Sequence, residues 1–133
     1  MPGTDAFFDT NVLLYLLSGD AVKADRAEQL LSGGGAVSVQ VLNEFASVGL
    51  RKLSLTMSEV RELLAAVRAV CAVKPVDVET HELGLDLAER HQLALYDAMI
   101  VSAALRADCA IVYSEDMQHG QSFGQLTIRN PFL

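Results

Sequence analysis

Short, continuously apolar runs recur along this chain, and helical patterns fill the intervals between them. That alternation constrains the fold more than any other feature. AFF (6–8) and AIVYS (110–114) have no polar–apolar alternation, as strands buried on both faces require. AVSV (36–39) reads as a second strand, 73–76 as a short third and QLTIR (125–129) as a fifth. Helices are expected at 11–17, 21–31, 41–53, from Thr56 to about Cys71, 80–91 and 97–107. Thr56 with Glu59 three residues on is a capping-box signature. Strands that alternate with helices pair in parallel and are covered on both faces. The expectation is a three-layer α/β/α sandwich around a central parallel sheet of five strands, with residues 1–133 as a single domain and RNPFL (129–133) folded over the core.

That architecture says where chemistry belongs. Sites in open parallel sheets form outside the carboxyl ends of the strands. Asp9 ends the first strand, and Asp116 follows the AIVYS strand after Ser114 and Glu115. Crossover helices start at the edge where the preceding strand stops. Glu44, early in the helix after AVSV, and Asp97, opening the helix before AIVYS, therefore share that edge. An ionised Asp at the end of a buried strand is costly unless something compensates it. Four neighbouring carboxylates raise one another's pKa, and a divalent cation relieves the repulsion. Mg²⁺ or Mn²⁺ suits such oxygen ligands and can activate water against a phosphodiester.

Taken singly, three of the acids have simpler roles. Asp97 reads as a helix N-cap, Asp116 as a turn residue and Glu44 as a solvated helix position. Asp9 is the one that resists such a reading.

Other chemistries lack their residues. His81, His91 and His119 do not have metal-ligand spacing; His91 reads as packing at a helix end, and His119 as a turn residue ahead of the alternative of a substrate contact. There is no G-x-S-x-G elbow, and SGGGAV lacks the Lys-Ser/Thr of a phosphate-binding loop. Cys71 and Cys109 lie among apolar residues and read as buried thiols of a reducing compartment, the cytoplasm. No secretory leader or membrane span is expected. The net charge of −7 argues against a tight, non-specific grip on nucleic acid but not against a nuclease whose site is itself acidic, and it suits a partner with a basic tail. Tyr96, beside Asp97, is placed to stack on a base or to serve as a core or rim tyrosine. The same acidic edge also admits a non-catalytic binding domain, or a phosphoryl-receiver or phosphatase-like domain with Asp9 as nucleophile. The latter lacks a lysine after a late strand and a second acid two residues after Asp9.

FFDTNVLLYLL (7–17), NEF (43–45), YDAMIVSAAL (96–105) and VYSEDMQHG (112–120) resemble, in order, the motifs of PIN domains. LTIRNPF (126–132) is similar to the closing strand and tail of VapC-type toxins of toxin–antitoxin pairs. The resemblance implies a metal-dependent endoribonuclease that hydrolyses RNA and uses Mg²⁺ or Mn²⁺. It makes Asp9, Glu44, Asp97 and Asp116 the acidic site, with Thr10 or Ser114 as its polar support and Asn11 bracing the turn. Glu115 is the alternative should Asp116 point away. It further implies a cognate antitoxin that puts a basic side chain into the site. A homodimer is expected on separate grounds, since small domains commonly form symmetric pairs, and the apolar helices VLLYLL (12–17) and VRELLAAVRAV (60–70) read either as its face or as core.

Overall fold

The structure, a computed structural model, describes residues 5–133. The first four residues of the expected domain lie outside that range. Strand β1 (Ala6–Phe8) leads into helix α1 (Thr10–Leu14), a 3₁₀ turn (Tyr15–Leu17) and α2 (Ala21–Ser32). Then come β2 (Gly35–Ser38), α3 (Val39–Arg51), α4 (Met57–Val70), β3 (Cys71–Lys74), α5 (Val78–His91), α6 (Leu95–Arg106), β4 (Ile111–Tyr113), β5 (Ser122–Phe123) and β6 (Leu126–Arg129).

The sheet order is β3-β2-β1-β4-β6-β5, and every pairing is parallel except β5 with β6. The architecture is the expected α/β sandwich with five parallel strands. It gains a sixth, two-residue strand that turns back on β6 at the edge. From β1 the chain steps outward to β2 and β3, then returns across the sheet to β4 on the other side of β1. Because crossovers between parallel strands are right-handed, this reversal puts the later helices on the opposite face. Accordingly α5 and α6 pack on each other, while α1, α3 and α4 form a separate packed group. Phe7, Phe8, Val37, Val112 and Ile128 of the strands and Phe45, Ile100 and Val101 of the helices are among the fully buried side chains.

Several boundaries differ from the sequence reading, for local reasons. The third strand is Cys71–Lys74, not 73–76, because α4 runs straight into it and Pro75 then ends the ladder. α3 starts two residues early, where the Ser38 hydroxyl accepts the Val41 N–H at 3.3 Å. α5 starts at Val78 because Asp77 caps it through the Thr80 N–H at 2.9 Å. α6 starts at Leu95, with Ala94 as a cap that offers no side chain. Asp97 is therefore inside the first turn and is not the N-cap. The Thr56–Glu59 capping box of α4 is present in both directions. The tail folds back as expected: Phe132 packs on Tyr15 and the Pro131 carbonyl accepts from Arg26 at 3.1 Å.

Gly35 allows β2 to lie against β1. Its φ of +156° is rare for side-chain-bearing residues, and a Cβ there would stand 2.5 Å from the Phe8 ring and 2.8 Å from the Ala6 carbonyl oxygen. Neither neighbour can give way, since one is a buried ring and the other is backbone. Gly35→Ala should destabilise the protein by at least about 1–3 kcal/mol, the usual cost of overpacking. Urea unfolding monitored by circular dichroism checks this.

Candidate functional site

The strand order reverses beside β1, the place where open parallel sheets form their crevice, at the carboxyl ends of β1 and β4. Phe8 and Tyr113 are in register across those two strands, and the Asp9 N–H continues the ladder to the Tyr113 carbonyl at 3.0 Å. Asp9 and Ser114, the next residues on each strand, therefore come together although 105 positions separate them. Ser114 donates its hydroxyl to Asp9 Oδ2 at 2.8 Å. The Thr10 N–H donates to Asp9 Oδ1 at 2.7 Å, so the same carboxylate also caps α1.

Asn11 ties the crevice together. Its Nδ2 lies 3.3 Å from Asp9 Oδ2, 3.2 Å from Asp116 Oδ2 and 3.5 Å from Ser114 Oγ. Two amide hydrogens cannot serve three acceptors at full strength, so Asn11 bridges rather than saturates them. Its Oδ1 accepts the Glu115 N–H at 3.1 Å, which fixes the orientation of the amide. Glu44 joins from α3: its Oε1 accepts from the Thr10 hydroxyl at 3.3 Å and from Gln40 Nε2 at 3.1 Å. Asp97 is half-buried in the first turn of α6, where the helix N-terminus favours an anion.

Electrostatics link all four acids. Burial pushes the Asp9 carboxyl up from 3.8 to about 6; the bonds from Ser114 and Thr10 oppose the rise, and the charges of Asp97 and Glu44 add to it. Asp97 is also raised, first by burial and then by Asp116 and Glu44. Neither the cap role nor the turn role expected of single acids accounts for this mutual repulsion.

Glu115 faces other partners. Lys23 Nζ donates to its Oε2 at 2.7 Å, and the Tyr15 hydroxyl donates to Oε1. Lys23 also lies over the Tyr15 and Phe132 rings, at 4.7 and 5.4 Å from their centres. These bonds hold the Glu115 carboxyl below its usual range. Only its backbone N–H reaches the crevice, through Asn11, whereas the Asp116 side chain meets the Asn11 amide directly. His119 is a tie within the fold, its Nδ1 accepting the Asn130 N–H at 3.0 Å. His91 closes α5 with its ring edge-on to Phe123 at 4.9 Å.

Two contributors escaped the sequence reading. Gln40 had a usable signal, four residues before Glu44 on the same helix face. Lys23, 92 positions from Glu115, had none.

The oxygen-rich donor set suits a hard divalent cation. Among the described residues, however, no three His, Cys, Asp or Glu side chains converge tightly enough to enclose an ion. A cation at this edge would therefore meet no more than two of the carboxylates of Asp9, Asp97, Asp116 and Glu44 as they stand, with water completing its shell, the way Mg²⁺ is usually held.

The PIN domain family model matches residues 6–121. The chain belongs to the PIN domain family. Solved structures of similar fold include a toxin–antitoxin complex from Klebsiella pneumoniae, with a TM-score of 0.73 and 19% identity over 95% of this chain and 97% of that one. Mycobacterium tuberculosis VapC20, a sarcin–ricin-loop-cleaving toxin, has a TM-score of 0.68 and 20% identity over 84% and 89% of the two chains. VapBC2 from Rickettsia felis, bound to a DNA fragment from its promoter, has a TM-score of 0.67 and 16% identity over 94% and 97%. No curated protein matches the chain in sequence. In this PIN domain the acids therefore sit on a fold that such toxins share.

The raised pKa of Asp9 has a sign that stability measurements can read. Its folded-state value exceeds the ordinary one, so its contribution is fully present below 3.8 and is lost as pH rises through about 6. Each tenfold change in proton affinity is worth about 1.4 kcal/mol, so the loss is on the order of 3 kcal/mol. Urea midpoints in EDTA should fall between about pH 4 and 7 for the wild type, and fall less for Asp9→Asn.

Proposed function

We propose that this PIN domain is a metal-dependent endoribonuclease, the toxin of a toxin–antitoxin pair, acting with Mg²⁺ or Mn²⁺. What supports this reading is the electrostatic coupling of Asp9, Glu44, Asp97 and Asp116 near the strand-order reversal, where burial first and neighbouring negative charge second make Asp9 and Asp97 hold protons more tightly than usual. Carboxylates that repel one another in this way are disposed to bind a cation. Bound there, the cation would supply an activated water and stabilise charge on the phosphoryl oxygens. The chain's own residues prepare the place. Ser114 and the Thr10 N–H orient Asp9, Asn11 spaces Asp9 from Asp116, and Thr10 and Gln40 hold Glu44 against α1. The VapC20 toxin of like fold cleaves the sarcin–ricin loop, which supports RNA as the substrate class here.

The partner reading rests on the neighbours solved as toxin–antitoxin complexes. A basic side chain from an antitoxin would satisfy the same carboxylates that a cation would, and so silence the site. A homodimer and a cytoplasmic location complete the proposal. Among the described residues no helix is long and apolar enough to cross a membrane.

Defined RNAs incubated with Mn²⁺ test the reading. Cleavage should fall to background in Asp9→Asn and Asp97→Asn while circular dichroism stays native. Asn11→Ala, which frees the orienting amide, should cost about 10–100-fold. Glu115→Gln should stay within a few-fold of wild type, and Asp116→Asn should not. Full cleavage by Asp9→Asn in EDTA would sink the proposal. Mn²⁺ should also raise the melting temperature at neutral pH and lose that effect in acid, where Asp9 is protonated.

A further inference from the structure

Beyond the acids, α3 continues as one wall of an open groove of about 760 Å³. Gln40, Asn43, Glu44 and Ser47 lie along one face of the helix. Val76, after β3, and Tyr96, in the first turn of α6, face them across the gap. Glu44 belongs to both places. One oxygen takes the Thr10 hydroxyl beside Asp9 and also takes Gln40, whose amide reaches on to the Tyr96 carbonyl at 3.3 Å. The groove therefore begins where the acidic crevice ends.

Its chemistry differs from that of the crevice. No lysine or arginine lines it, so it offers no positive charge to a phosphate or an acidic peptide. What it offers is an aromatic ring 65% exposed, a valine, and the amide and hydroxyl of Asn43 and Ser47. A flat, uncharged group with hydrogen-bonding edges fits that set, and a nucleobase is such a group. The chain's net charge of −7 points the same way. With few cations to meet the backbone, an RNA strand has to be held largely through its bases.

We propose that this groove is a nucleobase subsite, in which Tyr96 stacks on the base adjoining the scissile phosphate and Asn43 and Ser47 contact its edge. The proposal rests on the ribonuclease reading and adds to it the surface that selects sequence. Tyr96 and Asn43 act on recognition and not on the bond-breaking step, so their loss should appear in KM and not in kcat.

The experiment takes a short single-stranded RNA that the wild type cuts, and the same RNA with an abasic ribose on either side of the cut. Tyr96→Ala should raise KM about tenfold with kcat little changed, the usual size of a lost stack. Tyr96→Phe should keep the wild-type KM. The abasic RNA should raise the wild-type KM similarly and erase the difference between wild type and Tyr96→Ala. Binding should depend only weakly on salt. In Asp9→Asn protein, the Asn43 side-chain amide should shift in NMR spectra on addition of the intact RNA. Cleavage with an unchanged KM in Tyr96→Ala overturns the subsite and leaves the ribonuclease reading standing. Failure of the wild type to cut or bind any RNA overturns both. Shifts of Asn43 that follow protein concentration without RNA overturn the subsite in favour of contact with a second copy.

Discussion

Everything at this sheet edge depends on a carboxylate that the fold buries at the end of β1. Asp9 cannot retreat to solvent, because its own N–H extends the β1–β4 ladder and its oxygens are taken by Ser114, Thr10 and Asn11. Those bonds lessen the cost of its charge without removing it, which is why its pKa still stands near 6. The apolar residues behind it, Phe7 and Phe8, are fully buried and let it move little. A rigid, incompletely compensated anion of this kind sets what its surroundings must be. Nearby donors need to be short and fixed, and any further partner has to be positive.

The neighbouring acids show how two tendencies are kept apart. Asp116 and Glu115 are adjacent in sequence, yet the chain turns them to different partners. Lys23, Tyr15 and Phe132 draw the Glu115 side chain to the α2 side, while its backbone N–H orders Asn11. One acid is thus neutralised by a fixed lysine, and the other is left for the crevice. The C-terminal tail shares in this arrangement through Phe132, so a segment remote from the acids helps to set the loop that carries one of them.

The parts of this layout that were legible in the sequence are those governed by strong local rules. AFF and AIVYS announce buried parallel strands, and topology alone then puts Asp9, Glu44, Asp97 and Asp116 on one edge. The illegible parts have weak or distant causes. β3 lies earlier than its pattern suggests because no turn residue separates α4 from Cys71, so the helical pattern masks the strand until Pro75. β5 is two residues long, too short for any periodicity. Asp97 resembled a cap because Ala94 and Leu95 give no start signal. Lys23 meets Glu115 only through tertiary packing, which no spacing rule anticipates.

The pairing of β1 with β4 also governs when the crevice can exist at all. Asp9 precedes the Ser114 that orients it by 105 positions. Contacts this far apart in sequence form late in folding, since long loops must close before the contacts repay the closure. A growing chain therefore carries Asp9 through the synthesis of all the intervening residues without the hydroxyl that orients it. Whatever the acids do, they do only once β4 has closed onto β1, and that pairing is the step that arms them.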